Sequence, residues 1–198
     1  NYLDNYAADS VEKNWKIGEA LAECILEERE GAVLPWNKAR DEMKPKVSLT
    51  GTDIVGFLRV DSEMKFLFGE TKTSADTSNV PPSVMVSGDG CMTSQLRDHL
   101  VKKKRQHVHG KVIRWLFVRV RSTDQRPYFM DALRNHLCSD GLNFVLLGIL
   151  LRDTEPNEED VRSPSMKLAK SAQSPTVVRI EAVYLPIKIN VWRNRMRA

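Results

Sequence analysis

Short apolar runs alternate with polar stretches rich in Ser, Gly and Pro, and the spacing of the apolar positions predicts the elements. In "SVEKNWKIGEALAECILEERE", Ile17, Leu21, Cys24 and Ile25, with Ala20, recur at helical spacing. Ser10 is placed to cap this helix, and Lys13 stands where a capping box would carry Glu. "GAVLPW" reads as a short strand or a turn, and "NKARDEMKPKVSLTG", with Pro45 and Gly51, as a loop. "TDIVGFLRV" and "KFLFGETK" are strand-like, and "DSEM" between them makes a hairpin with a four-residue turn. "TSADTSNVPPSVMVSGDG" reads as a mobile loop. "CMTSQLRDHLVKKKRQHVHG" predicts a helix ending near Gly110. "KVIRWLFVRVRS" suits a strand by its β-branched residues and a helix by Val112, Trp115, Leu116 and Arg119. "RPYFMDALRNHLCSD" predicts a helix with Pro127 in its first turn and Gly141 past its end. "LNFVLLGILL" is a buried strand, too short to span a membrane. The polar stretch after it has room for a short helix, "TVVRIEAVYL" is a last strand, and "PIKINVWRNRMRA" is a basic tail. No repeat or linker divides the chain, so residues 1–198 read as one domain in which helices and strands share a core. The chain begins without Met, and its native N-terminus is expected to be missing.

Composition changes this picture little. Hydrophobic residues make up 41% and charged residues 28%, ordinary values for a soluble fold. The net charge of +4 is compatible with a phosphate-rich partner without requiring one. Cys24, Cys91 and Cys138 are far apart and odd in number, which predicts reduced thiols in a cytoplasmic protein rather than zinc ligands. His99, His107, His109 and His136 show no metal-ligand spacing.

The hairpin carries the candidate chemistry. If Val60 faces Lys65, Asp53 lies opposite Lys72 and Val55 opposite Glu70. Opposed residues share a sheet face, as do alternate residues on one strand, so Asp53, Glu70 and Lys72 converge at the open end of the hairpin. A slip of one residue would break the convergence. Two carboxylates, with the carbonyl of Thr71 between them, suit Mg²⁺ or Mn²⁺, which take oxygen ligands together with waters and a phosphate. Lys72 would orient a water or stabilise phosphate charge. The same three residues also describe an ordinary surface charge cluster.

"GTDIVGF" with Asp53, followed by "FLFGETK" with Glu70 and Lys72, resembles the PD-(D/E)xK, or restriction-endonuclease-like, nuclease superfamily. "GEALAECIL", "GTDIVGF" and "GETKTS" look most like the nuclease subunit of Hachiman-type anti-phage defence systems. The resemblance spans roughly residues 15 to 151, with Thr52 where the superfamily usually has Pro. It implies an α/β fold with a mixed central sheet flanked by helices, in the order helix–strand–strand–strand–helix–strand. It implies a Mg²⁺-dependent endodeoxyribonuclease with Asp53, Glu70, Lys72 and Glu19 as catalytic residues, Glu19 serving a second metal or supporting the first. Ser94 and Gln95, on the helix that follows, would face the metal site and DNA. A helicase-type partner is implied by analogy.

The run "KKKRQHVHGK" is the strongest local positive charge. Lys102, Lys103, Lys104 and Arg105 either contact a phosphate backbone or form a solvated helix end, with cations near a C-terminus. A non-catalytic subunit that binds DNA or protein through this surface is the alternative to a nuclease. No phosphate-cradling loop, triad or cofactor fingerprint supports a small-molecule enzyme.

Overall fold

A computed structural model describes residues 13–35 and 52–192. The expected cap at Ser10, the loop through Pro45 and Gly51 and the end of the basic tail lie outside them. Helix α1 (Lys13–Ile25) continues into a wider turn at Leu26–Glu30, closed by Gly31 at a φ of 66°. Strands β1 (Ile54–Val60) and β2 (Glu63–Ser74) follow, then a single helical turn at Ser83–Val86. Helices α2 (Met92–Leu100), α3 (Lys102–Val120) and α4 (Arg126–Cys138) lead to β3 (Phe144–Arg152). Helix α5 (Glu159–Ser171) and β4 (Val177–Tyr184) complete the order.

The four strands form one mixed sheet in the order β1-β2-β3-β4. β1 and β2 are antiparallel, while β2, β3 and β4 run parallel. The α/β class and the mixed, helix-flanked sheet match the reading of the sequence. The third early strand does not: "GAVLPW" contributes only the bridge of Val33 to Phe57. Two strands precede the helical block and two follow it.

β3 is buried along its whole length, which explains its unbroken apolar run. One face of the sheet, with Val55, Phe57, Phe66, Phe68, Leu146 and Leu150, is covered by α2 to α5. There Phe129 meets the edges of Phe57 and Phe66 at centroid distances of 6.3 and 5.7 Å, each pair worth about 1 kcal/mol beyond burial. The other face, with Ile54, Leu67, Leu147 and Leu151, is covered by α1 and by Ile189 and Trp192.

α1 buries the predicted stripe in part: Ile17, Leu21 and Ile25 pack against the core. Gly18, Ala22 and Leu26 face the sheet, whereas Ala20 and Cys24 are exposed. A Cβ on Gly18 would fall 2.3 Å from Thr73 Oγ1, so the helix sits close over the end of β2.

The hairpin turn is shorter than expected. Val60 pairs with Glu63, and only Asp61 and Ser62 turn the chain, with φ of 49° and 67°. Positive φ at both positions defines the primed turn whose twist suits a hairpin. Met64 and Lys65 belong to β2, because burying Met64 in the core and extending the ladder outweighs a looser turn.

The expected single helix through Gly110 is broken. Val101 is extended, and α3 begins afresh at Lys102, runs through Gly110 and includes the whole ambiguous segment. Val112, Leu116 and Val120 form its buried stripe, so tertiary packing decides in favour of helix over β propensity. The loop after β2 is tied down: the Asp76 carbonyl accepts from the Arg152 guanidinium, and the Asp76 carboxylate accepts from Ser78 and Asn79. Arg152 also pairs with the fully buried Asp160 at 3.3 Å, and Tyr184 donates to Asp160 at 2.9 Å. The buried network joins the ends of β3 and β4 to the start of α5.

Candidate active site

The observed register differs from the predicted one by two residues. Ile54 lies opposite Gly69, so the next pair sets Asp53 against Glu70, rather than against Lys72. An even shift preserves the alternation of faces. Asp53, Glu70 and Lys72 therefore still share one face, for a corrected reason. It is the face covered by α2 to α5, since Phe66 and Phe68 on the same side of β2 belong to that core.

Backbone contacts pin this end. The Asp53 amide donates to the Gly69 carbonyl at 3.0 Å, and Thr52 Oγ1 donates to the same oxygen at 2.7 Å. Thr52 thus anchors the start of β1. The Thr71 amide donates to Asp53 Oδ2 at 3.2 Å and fixes that carboxylate. Because a strand residue directs its amide and carbonyl to the same side, the Thr71 carbonyl also points toward the Asp53 edge.

Glu70 is fully buried, and its Oε2 lies 3.7 Å from Lys72 Nζ. The Lys72 side chain is 19% exposed, so the cation sits at the mouth of the site and the carboxylate at its floor. Glu70 to Ser74 lie at the carboxyl end of the parallel strands, where open α/β sheets place their ligands.

Gln95 arrives from α2. Met92 and Leu96 pack on Gly148, the partner of Glu70 in β3, and His99 stacks on Phe68. Gln95 precedes His99 by one turn on the same helix. Its Oε1 is enclosed and has no hydrogen-bond partner among the described residues. Ser94 is half-buried on the same helix.

Glu19 is buried on α1, which covers the opposite face of the sheet. The helix itself packs on the face opposite Phe66 and Phe68, with its Gly18 against Thr73, the residue after Lys72.

The basic run opens a helix instead of closing one. Lys102, Lys103 and Lys104 are exposed in the first turn of α3, where the helix dipole disfavours cations. Lys102 pairs with Asp140 at 3.2 Å and Lys104 with Asp98 at 2.7 Å. Arg105 leaves this ridge altogether, being only 5% exposed. Its expected place on an exposed phosphate-binding surface is therefore wrong: it lies on the stripe that continues through His109, Val112 and Leu116 into the core.

That stripe carries a cluster the sequence reading missed. His99, His109 and His136 are all buried. His99 Nδ1 and His109 Nε2 are 3.1 Å apart, and His109 lies flat on Phe68 at 4.0 Å. Burial pushes His99 down to about 4. Burial, then His99, His136 and Arg105, hold His109 well below its usual range. Burial also lowers His136, against the pull of the Asn143 carbonyl. The apolar stripe of α3, extended back two turns, was the signal that could have found His109 and Arg105.

Among the described residues no three His, Cys, Asp or Glu side chains form a metal-binding group. Asp53, Glu70 and the Thr71 carbonyl make a sparse oxygen set. Such a set fits a hard divalent ion that keeps waters and binds substrate oxygens, and does not fit zinc or a closed protein cage.

Fold and site together define the class: a mixed-sheet α/β protein with two carboxylates and a lysine on one face, at the carboxyl end of its parallel strands. The chain belongs to the HamA family, a protein family of the Hachiman anti-phage defence system, whose family model matches residues 2–110, more than half of the 198. The match contains every candidate site residue from Glu19 to Arg105. The system has several proteins, so members of the family work with protein partners. No curated protein and no solved structure matched the chain. No helix among the described residues is long and apolar enough to cross a membrane.

Proposed function

We propose that this chain is the nuclease of its defence system, a Mg²⁺- or Mn²⁺-dependent endodeoxyribonuclease of the PD-(D/E)xK kind. The observation that carries the reading is the shared face of Asp53, Glu70 and Lys72, with Asp53 fixed by the Thr71 amide and Lys72 3.7 Å from Glu70. Asp53, Glu70 and the Thr71 carbonyl would hold the ion. Bound there, it would polarise the scissile phosphodiester and supply an activated water.

Lys72 would hold the attacking water and offset charge building on the phosphate, as a compact cation with rotatable donors. Glu70 is fully buried, and an ion there would take its enclosed carboxylate oxygens as ligands. Gln95 would orient a phosphate oxygen or water at the site. Lys102, Lys103 and Lys104 would track the DNA backbone. A helicase-type partner in the same system would present or restrain the substrate.

Plasmid and linear DNA, incubated with the chain and Mg²⁺ or Mn²⁺, test the reading. Cleavage is expected with metal and absent with EDTA. Glu70→Gln and Lys72→Met should each lower the rate about a hundredfold or more, with folding retained by circular dichroism. Full cleavage by either variant would refute the assignment. DNA binding without turnover under all these conditions would make the chain a binding subunit instead.

A further inference from the structure

Away from the sheet edge, α3 and α4 enclose a cleft of about 580 Å³. That lies within the roughly 300–1,000 Å³ of small-molecule sites. One wall is apolar and includes Ile113, Phe117, Phe129 and Leu133. The other end is polar and carries Arg105, His109 and His136.

Two of those polar groups each carry an enclosed nitrogen without a hydrogen-bond partner among the described residues. Arg105 is 5% exposed, its Nε is enclosed without a hydrogen bond, and its guanidinium forms no ion pair with any described residue. Arginine cannot shed its proton, so its enclosed Nε without a partner is costly. The carboxylate that also lines the cleft, Asp140, is engaged by Lys102 at 3.2 Å. His109 is 2% exposed and its Nε2 faces His99 Nδ1, while its Nδ1 has no partner among the described residues. In the tautomer in which Nε2 accepts from His99, Nδ1 carries the ring proton and is a donor. A permanent cation and a buried donor at one end of an apolar cleft call for an anionic group on an apolar body.

We propose that the cleft between α3 and α4 binds a small organic anion, a carboxylate or phosphate on an apolar body. Arg105 is its counter-ion, His109 Nδ1–H donates to it, and Phe117, Phe129 and Leu133 cover its apolar part. The site is separate from the Asp53–Glu70–Lys72 cluster and does not depend on nuclease chemistry. Its floor, His109, rests on Phe68, two residues before Glu70.

Calorimetry and thermal unfolding of the full chain with four probes test the proposal: phenyl phosphate, 4-phenylbutyrate, inorganic phosphate and neutral 4-phenylbutanamide. At least one aromatic anion should bind at millimolar concentration or below and raise Tm. Which of the two binds more tightly separates phosphate from carboxylate recognition. Inorganic phosphate and the amide should bind about tenfold more weakly or worse. Arg105→Met should weaken the preferred anion by about tenfold or more, while its ligand-free Tm stays level or rises because an enclosed Nε without a partner is gone. Gly110 lines the cleft with open space beside its Cα, so Gly110→Leu should fill the cleft and abolish binding with Arg105 intact. Equal binding of the amide or of inorganic phosphate overturns the proposal. Absence of any anion-dependent shift, unchanged affinity in Arg105→Met, or a ligand-free Tm that falls in that variant also overturns it.

Discussion

A buried polar atom with no protein partner costs about 1–3 kcal/mol, and such atoms separate side chains kept for packing from those kept for something else. Gln95 Oε1 is one, on the helix whose Met92 and Leu96 pack against Gly148, the partner of Glu70 in β3. If Gln95 serves cleavage, Gln95→Leu should slow it about tenfold to a hundredfold without lowering Tm, because leucine removes an unmatched acceptor. Rate and melting measured together decide: a variant that loses stability and activity in parallel marks Gln95 as structural. Asp53, Glu70 and Lys72 were legible from sequence because they are a pattern within two adjacent strands. Arg105 was misplaced because its neighbours Lys102, Lys103 and Lys104 set the character of the run, and sequence alone does not show which of four adjacent cations turns inward. Glu19 was placed with the site by resemblance, and the fold sets its helix against the other face.

Among the elements, the hairpin shows how a wrong detail leaves a right conclusion. Moving the turn from four residues to two shifts the register by two, and faces alternate with a period of two. Asp61 and Ser62 hold positive φ, a conformation suited to Asn-Gly. Replacing them together by Asn and Gly should stabilise the protein by about 1 kcal/mol, read as a higher denaturation midpoint with an unchanged m-value. The basic ridge belongs to this scale too. Three lysines in the first turn of α3 oppose its dipole, and Lys102 and Lys104 relieve this through Asp140 and Asp98. If the ridge tracks a DNA backbone, the triple change Lys102→Ala, Lys103→Ala, Lys104→Ala should weaken DNA binding and flatten its dependence on salt, measured by fluorescence anisotropy across a salt series. An unchanged salt slope would remove the ridge from the DNA surface.

For the whole molecule, the sheet separates two cores, and the histidine cluster lies inside the larger one. His99 titrates near pH 4 when folded and near 6.5 when unfolded. The unfolded chain therefore takes up protons first as pH falls. Stability that is intact above about pH 6.5 is lost progressively toward pH 4, on the order of 3 kcal/mol from His99 alone. His109 and His136 shift in the same direction and steepen the loss. Denaturation midpoints should fall between pH 7 and pH 5, and His99→Phe should flatten that fall. A midpoint flat across this window would mean that the cluster is open to solvent.

Local patterning was enough for the α/β class, the apolar strands, most helices and the face shared by Asp53, Glu70 and Lys72. Each depends on the period of a strand or helix, which neighbouring residues set. Tertiary structure alone decided the break at Val101, the helical state of the segment from Lys111 to Val120, and the reduction of "GAVLPW" to one bridge. It also decided the burial of Arg105 beside His109 and the enclosure of Gln95 Oε1. Those outcomes depend on contacts between residues distant in sequence, where the gain from filling a shared core outweighs what any segment prefers alone.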